Sequence, residues 1–73
     1  MARIEVRAEV TGKVWKLERQ VGQLVEVDEP VMIVESMKME IPVCSEEAGT
    51  IAELLVAEGD AVEDGQVVAI LQT

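Results

Sequence analysis

Short apolar stretches alternate with polar turns along the whole sequence, and this pattern predicts β-strands. The predicted strands cover residues 4–8, 13–20, 31–35, 39–43, 50–57 and 67–71. Thirteen valines and five isoleucines supply most of the β-branched side chains. Because such side chains fit a pleated sheet better than a helix, the pattern and the residue choice together predict an all-β domain.

The sequence contains an internal repeat, in which residues 11–36 align with residues 48–73. Seven aligned positions are identical: Gly12/Gly49, Leu17/Leu54, Gly22/Gly59, Val25/Val62, Glu26/Glu63, Val31/Val68 and Ile33/Ile70. Most of them are turn glycines or apolar residues, as a repeated backbone requires. Neither half can bury an apolar face alone, so we predict a small antiparallel sandwich or flattened barrel with approximate two-fold symmetry.

The repeat also relates two predicted turns. Asp64-Gly65 is a strong signal for a two-residue turn, whose central positions both need positive φ. Its counterpart in the first half is Val27-Asp28, where the glycine is absent and Asp28 has to adopt the turn conformation. The repeat places Lys38 at the joint between the halves, so the position equivalent to Lys38 falls at the chain termini. We therefore expect the termini at the end of the molecule opposite Lys38.

The segment around Lys38 predicts a hairpin with Met37-Lys38 as its two-residue loop. The predicted cross-strand pairs are Ser36 with Met39, Glu35 with Glu40 and Val34 with Ile41. This pairing sets two carboxylates opposite each other and puts Met and Lys where Asn-Gly is preferred. Local rules broken at one turn indicate a functional demand on it. The residues alone leave two interpretations of Lys38 open, a functional lysine or an ordinary surface residue.

Charge narrows the set of partners. Fifteen acids and six bases give a net charge of −9, which disfavours nucleic acid and anionic membranes. No apolar run approaches the roughly 20 residues that span a bilayer, and the charged start differs from a secretion signal. Between residues 20 and 73 there are twelve acids and a single base, Lys38. We expect a soluble protein.

Catalytic chemistry is poorly represented. The sequence has no histidine, the usual general base, and no carboxylate cluster with a recognisable metal-loop spacing. The single cysteine, Cys44, is expected to be a small, buried and inert thiol. Trp15, the only aromatic residue, is expected to pack in the core or at the barrel end, with contact to a ligand as a minor alternative. We therefore expect no catalytic residues, no metal site and no enzyme activity of the chain's own.

The run Glu35-Ser36-Met37-Lys38-Met39-Glu40-Ile41-Pro42, with valines before it, resembles the signature of biotinyl domains. The resemblance extends over residues 8–71 and includes the pattern in residues 48–51, 56–62 and 65–66. It identifies the chain as similar to stand-alone biotin/lipoyl attachment proteins of the biotin carboxyl carrier type. Departures from the family pattern at Glu9, Asp28 and Cys44 affect turns and packing more than attachment chemistry. Since there are no extra residues between Gly22 and Val31, the protruding thumb of some bacterial carriers is expected to be absent.

The resemblance implies a flattened β-barrel of two four-stranded sheets, formed by residues 1–73 as a single domain. It implies that Lys38 is biotinylated by a biotin protein ligase, and that Met37 and Met39 help partners to recognise the site. The attached biotin would then carry carboxylate between a biotin carboxylase and a carboxyltransferase. A monomer in the cytoplasm is the expected form.

Two alternatives stay open at this point. A lipoyl carrier has the same fold, but lipoyl domains typically have an acid before the lysine and Ala or Val after it. Met37 and Met39 differ from that pattern. An unmodified adaptor of the same fold is the second alternative, which the intact Met-Lys-Met disfavours.

Overall fold

The computed structural model describes residues 2–73, which form eight strands and, within that range, no helix. The strands are β1 (Arg3–Arg7), β2 (Gly12–Leu17), β3 (Leu24–Val25), β4 (Pro30–Ser36), β5 (Met39–Cys44), β6 (Gly49–Leu54), β7 (Ala61–Val62) and β8 (Val67–Gln72). The molecule is elongated, with extents of 36 × 18 × 17 Å.

The strands form two four-stranded antiparallel sheets, in the orders β1-β8-β6-β3 and β5-β4-β2-β7. The repeat pairs β2 with β6, β3 with β7, β4 with β8 and β5 with β1, and this exchange converts one sheet order into the other. Each sheet therefore contains two strands from each half. The predicted two-fold, sandwich-like all-β fold is confirmed.

The irregularities of the two sheets are also related by the repeat. The register of β2 against β4 shifts at Trp15, and the register of β6 against β8 shifts at Ala52, its counterpart. A bulge adds one residue to a strand and so interrupts the alternation of inward and outward side chains. Val14 is therefore buried, whereas Trp15 and Lys16 both face solvent.

The core lies between the two sheets. Its buried side chains are mainly valines, with a few larger residues filling the centre: Val6, Ala8, Val14, Val25, Val31, Met32, Val34, Val43, Ile51, Val62, Val68, Ala69 and Leu71. Two-residue strands contribute to it, because Val25 and Val62 are almost fully buried. The two short strands were not predicted as strands, although their valines appear among the repeated positions.

Four tight turns share one hydrogen-bonding pattern, in which a side chain accepts a bond from the backbone N–H three residues earlier. The pairs are Gln20 N–H to Gln23, Glu26 N–H to Glu29, Ala57 N–H to Asp60 and Glu63 N–H to Gln66. The turn conformation predicted at Asp28 is confirmed, with φ of 71° beside 88° at its counterpart Gly65. Neither Val27 nor Asp64 has positive φ, so the prediction of positive φ at both central positions is wrong for these two turns.

Two residues lie where the sequence did not predict them. Trp15 is not a core residue, because it is the extra residue of the bulge in β2, next to buried Val14, and 50% of it is exposed. Cys44 is exposed rather than buried, because it ends the edge strand β5 and its side chain points away from the core.

Candidate functional site

The β4–β5 hairpin pairs as the sequence predicts. Ser36 lies opposite Met39, Glu35 opposite Glu40 and Val34 opposite Ile41. The two loop residues, Met37 and Lys38, have φ of 52° and 65°. Positive φ at both central positions is the conformation that normally selects Asn-Gly, and it costs a non-glycine residue about 1 kcal/mol each. Backbone strain of this kind tends to occur at functional positions.

The side chains of the turn project into solvent. Met37 is 92% exposed and Met39 is 64% exposed, and Lys38 between them is also exposed. Among the described residues, none forms an ion pair with the Lys38 ammonium. The turn therefore offers a free amine beside two apolar, flexible thioether side chains.

The strands below the turn hold it in place. Val34 is fully buried, and the Ser36 hydroxyl donates a hydrogen bond of 2.8 Å to the carbonyl of Thr11. Gly12 lies so close to Glu35 that a Cβ at position 12 would overlap the Glu35 carbonyl oxygen. The glycine lets β2 and β4 approach at the base of the hairpin, which makes the turn a rigid support for a mobile side chain.

The termini lie at the other end of the molecule from this turn, as predicted. Thr73 N–H donates to the Ala2 carbonyl at 2.9 Å, so the first and last described residues lie side by side. From there β1 runs to Arg7, and residues 8–11 connect it to the end of β2 that lies beside the hairpin. Ala2 and Thr73 therefore lie at the end of the molecule opposite Lys38.

Charges around the hairpin are mixed. Glu35 and Glu40 face each other across the strands, a like-charge arrangement that costs a few tenths of a kcal/mol or more. On the other side of β4, Lys13 of β2 is paired with Glu35 in the sheet register.

The single cysteine, Cys44, lies at the end of β5 that is far from the turn. Partial burial of its sulfur and the nearby carboxylates of Asp28 and Glu9 raise its pKa, which keeps it a thiol at neutral pH.

Two surface depressions are present. One of about 430 Å³ lies between β1 and β5, lined by residues including Arg7, Cys44 and Gly65, away from the turn. The other, of about 230 Å³, lies beside the hairpin and is lined by Lys13, Val14, Trp15, Glu35 and Gly59. The sequence did not predict that Trp15 and Lys13 share a depression with Glu35 of the hairpin. One feature of the sequence could have indicated this depression: position 15 is tryptophan, whereas the equivalent position in the repeat, Ala52, has a small side chain.

Two kinds of feature are absent from the described part of the chain. No group of three or more His, Cys, Asp or Glu side chains within residues 2–73 could hold a metal ion. Over the same residues there is no helix long and apolar enough to cross a membrane.

Comparison with known proteins adds a family match. The biotin/lipoyl family model, described as biotin-requiring enzyme, matches residues 5–71. The chain is 39% identical over 62 residues to the biotin/lipoyl attachment protein of Bacillus subtilis, covering 85% of both chains. It is 33% identical over 67 residues to the biotinylated protein TB7.3 homolog of Mycobacterium leprae, covering 92% of this chain and 94% of that protein.

A lipoyl-type relative is similar as well. The dihydrolipoyllysine-residue succinyltransferase component of the 2-oxoglutarate dehydrogenase complex of Staphylococcus saprophyticus is 45% identical over 53 residues. That match covers 73% of this chain and 12% of the relative.

The similar solved structures also include both a carboxylase and a lipoyl domain. A segment of the Kluyveromyces lactis urea carboxylase superposes with a TM-score of 0.92 at 35% identity, covering 99% of this chain and 6% of that one. The lipoyl domain of the Azotobacter vinelandii 2-oxoglutarate dehydrogenase complex superposes with a TM-score of 0.77 at 29% identity, covering 96% of each chain.

Proposed function

The chain belongs to the biotin/lipoyl attachment family, and from that premise we propose that it is a biotin carboxyl carrier whose Lys38 bears the covalently attached biotin. The observation that carries the proposal is the Glu35–Pro42 hairpin, which holds Lys38 exposed and without an ion pair among the described residues. The residues 1–73 act here as one carrier domain and supply no catalytic group. We propose a monomer in the cytoplasm.

Attachment requires an enzyme, because a solvated lysine is an ammonium ion at neutral pH and does not attack a carboxyl group. A biotin protein ligase supplies biotin as its acyl-adenylate and accepts the proton that Lys38 loses. The neutral Nζ then attacks the acyl carbon and loses its second proton to the ligase or to water as the amide bond forms, and the bond from the acyl carbon to the phosphate oxygen breaks to release AMP. The amide removes a positive charge, so residues 20–73 lose their only base.

Met37 and Met39 serve recognition in this proposal. Both flank Lys38, and both are more than half exposed, so a ligase or a carboxylase partner can bury them when it binds the turn. Burying such a side chain contributes roughly 1.5–3 kcal/mol, enough to distinguish this lysine from Lys13 and Lys16.

Covalent attachment to Lys38 allows the biotin to carry carboxylate between two active sites. The biotin on Lys38 receives carboxylate at a biotin carboxylase and delivers it at a carboxyltransferase. A tethered group meets each active site at a high effective concentration, which a free cofactor does not reach. The position of the termini at the opposite end leaves the approach to Lys38 open.

A lipoyl carrier is the second candidate, because lipoyl-type relatives share both the sequence pattern and the fold. The methionines on both sides of Lys38 favour biotin. A lipoyl group would form the same amide with the same nitrogen, so the position of the site does not depend on which cofactor is attached.

The test compares Lys38→Arg with Lys13→Arg after co-expression with a biotin protein ligase and free biotin. Both variants keep the charge at an exposed position, so both should fold. Streptavidin blotting should detect wild type and Lys13→Arg equally, and should detect nothing on Lys38→Arg. Biotin on the Lys38→Arg variant would refute the assignment.

A further inference from the structure

The face beside the Lys38 turn differs from its symmetry mate in a way that the fold does not require. On β2 it presents Lys13, Trp15 and Lys16, whereas the equivalent positions on β6 are Thr50, Ala52 and Glu53. The bulge itself forms equally well with alanine, as Ala52 shows. A large indole left 50% exposed on a domain this small therefore needs a reason other than the core.

The exposed indole forms part of a concave surface. Trp15, Lys13, Glu35 and Gly59 line the depression of about 230 Å³. Gly59 has no neighbouring heavy atom within 4 Å of a built Cβ, so its lack of a side chain leaves this side of the depression open. Among the described residues, no ion pair involves the Lys13 ammonium. The depression thus combines an aromatic wall with the Lys13 ammonium and the Glu35 carboxylate.

The depression lies within reach of a group attached to Lys38. Glu35, on its rim, precedes Lys38 by three residues on the same hairpin, which is about 10 Å along a strand. An extended lysine side chain and a five-carbon acyl arm contain about ten single bonds and span roughly 12 Å. The ring at the end of such an arm can reach the Glu35 rim of the depression by folding back over β4.

We propose that the biotin on Lys38 has a resting position on this face, with its bicyclic ring packed against Trp15 and its ureido oxygen accepting a hydrogen bond from Lys13. This inference rests on the proposed function and adds to it a docked state of the carrier. Aromatic packing would bury the apolar part of the ring, and a hydrogen bond from a charged donor such as Lys13 is stronger than one from a neutral donor. The docked group leaves this position when a partner enzyme binds it.

Trp15 provides a direct readout, because the sequence contains no other tryptophan and no tyrosine or phenylalanine. Purified apo and fully biotinylated protein, with occupancy verified by intact mass, are compared by fluorescence and by NMR. Docking predicts a shift of the Trp15 emission to shorter wavelength and NOEs between the biotin ring protons and the indole. Free biotin added to Lys38→Arg should produce neither.

Variants separate the two contacts. Trp15→Leu should remove the NOEs and return the biotin signals to those of a mobile chain, while labelling at Lys38 continues. Lys13→Gln should weaken the docked state, and Lys16→Gln, a matched change on the same strand, should leave it intact.

The outcomes distinguish the two proposals. Complete biotinylation with an unchanged Trp15 environment and freely mobile biotin would overturn the docked state and leave the carrier function standing. Absence of biotin on Lys38 would overturn the carrier function itself. Spectral changes at Trp15 that arise only when a ligase or carboxylase is added would also refute the resting position, by showing that the face binds a partner.

Discussion

The two ends of this molecule are related by the symmetry that exchanges its sheets, yet they present different chemistry. At one end the β4–β5 hairpin projects Lys38 between two exposed methionines, with Trp15 and Lys13 on the adjoining face. At the other end lie the termini, and the adjoining face carries Ala52 and Thr50 instead. Features shared by both ends are needed to build the barrel, and features confined to one end are the candidates for function.

The shared features include the glycines at which strands approach closely. Gly12 contacts the backbone of Glu35 beside the hairpin, and Gly49 contacts the backbone of Gln72 beside the termini. The approach is tighter at Gly12. A glycine therefore allows a close approach of two strands at both ends of the barrel, and the approach is closer at the end that carries Lys38.

The largest predicted effect is a loss of stability when a side chain is added at these close-approach glycines. Gly12→Ala should destabilise the fold by about 3 kcal/mol, because its Cβ would overlap a backbone oxygen that moves only with β4. Gly49→Ala, where the nearest atom is 3.0 Å away, should cost about 1 kcal/mol. Urea unfolding followed by circular dichroism measures both. Equal losses would contradict the assigned difference between the ends.

The second prediction concerns the Met37-Lys38 turn, which lacks the Asn-Gly sequence that its backbone conformation favours. Replacing Met37-Lys38 with Asn-Gly should raise the free energy of unfolding by about 1 kcal/mol, because Asn and Gly accept positive φ more readily. Met37→Asn alone should give part of this gain and keep Lys38 available. A loss of stability in the double variant would show that the turn is not strained.

The third prediction concerns the turns equivalent to each other at Asp28 and Gly65. Asp28→Gly should stabilise by about 0.5 kcal/mol or less, because relief of the positive φ is partly offset by the greater freedom of unfolded glycine. Gly65→Asp should destabilise by about 1 kcal/mol. Thermal unfolding of the two single variants and of the exchange variant checks both signs, and a destabilised Asp28→Gly would contradict the account.

The smallest effect concerns Cys44, which has no counterpart thiol in the other half. Because its pKa is raised in the folded state, alkylation by iodoacetamide at pH 8 should be slower than in the urea-unfolded chain. The favourable contribution of the protonated thiol is complete below the unfolded pKa and is lost as pH rises through the folded pKa. The two alkylation rates should converge above that value. Faster alkylation of the folded protein at pH 8 would contradict the shift.

Much of this architecture follows from the sequence because the repeat constrains it. The hairpin register and the turn conformation at Asp28 were predicted from apolar spacing and turn residues alone, and both are confirmed. In a strand with alternating apolar and polar residues, a shift of one residue would expose the apolar side chains, so only one register of the hairpin buries them.

What the sequence did not predict depends on contacts distant in the chain. β3 and β7 have only two residues each and are strands because β6 and β2 pair with them, so no local pattern marks them. Trp15 is the extra residue of a bulge against β4, and the register shift that leaves both Trp15 and Lys16 facing outward is not visible in the local alternation. The depression beside the hairpin brings together Trp15 of β2, Glu35 of β4 and Gly59, which are distant in the sequence, and it was not predicted either.

The central claim is that Lys38 is the modified residue, and trypsin digestion with intact mass tests it most directly. The protein is produced in cells that supply both biotin and lipoate, together with ligases for each. Residues 20–73 contain no base other than Lys38, so acylation of Lys38 leaves this segment as one tryptic peptide. The account predicts one biotinyl increment on that uncut peptide, with Lys13 and Lys16 unmodified. Cleavage after Lys38 in all of the protein, or an increment on Lys13 or Lys16, would contradict it.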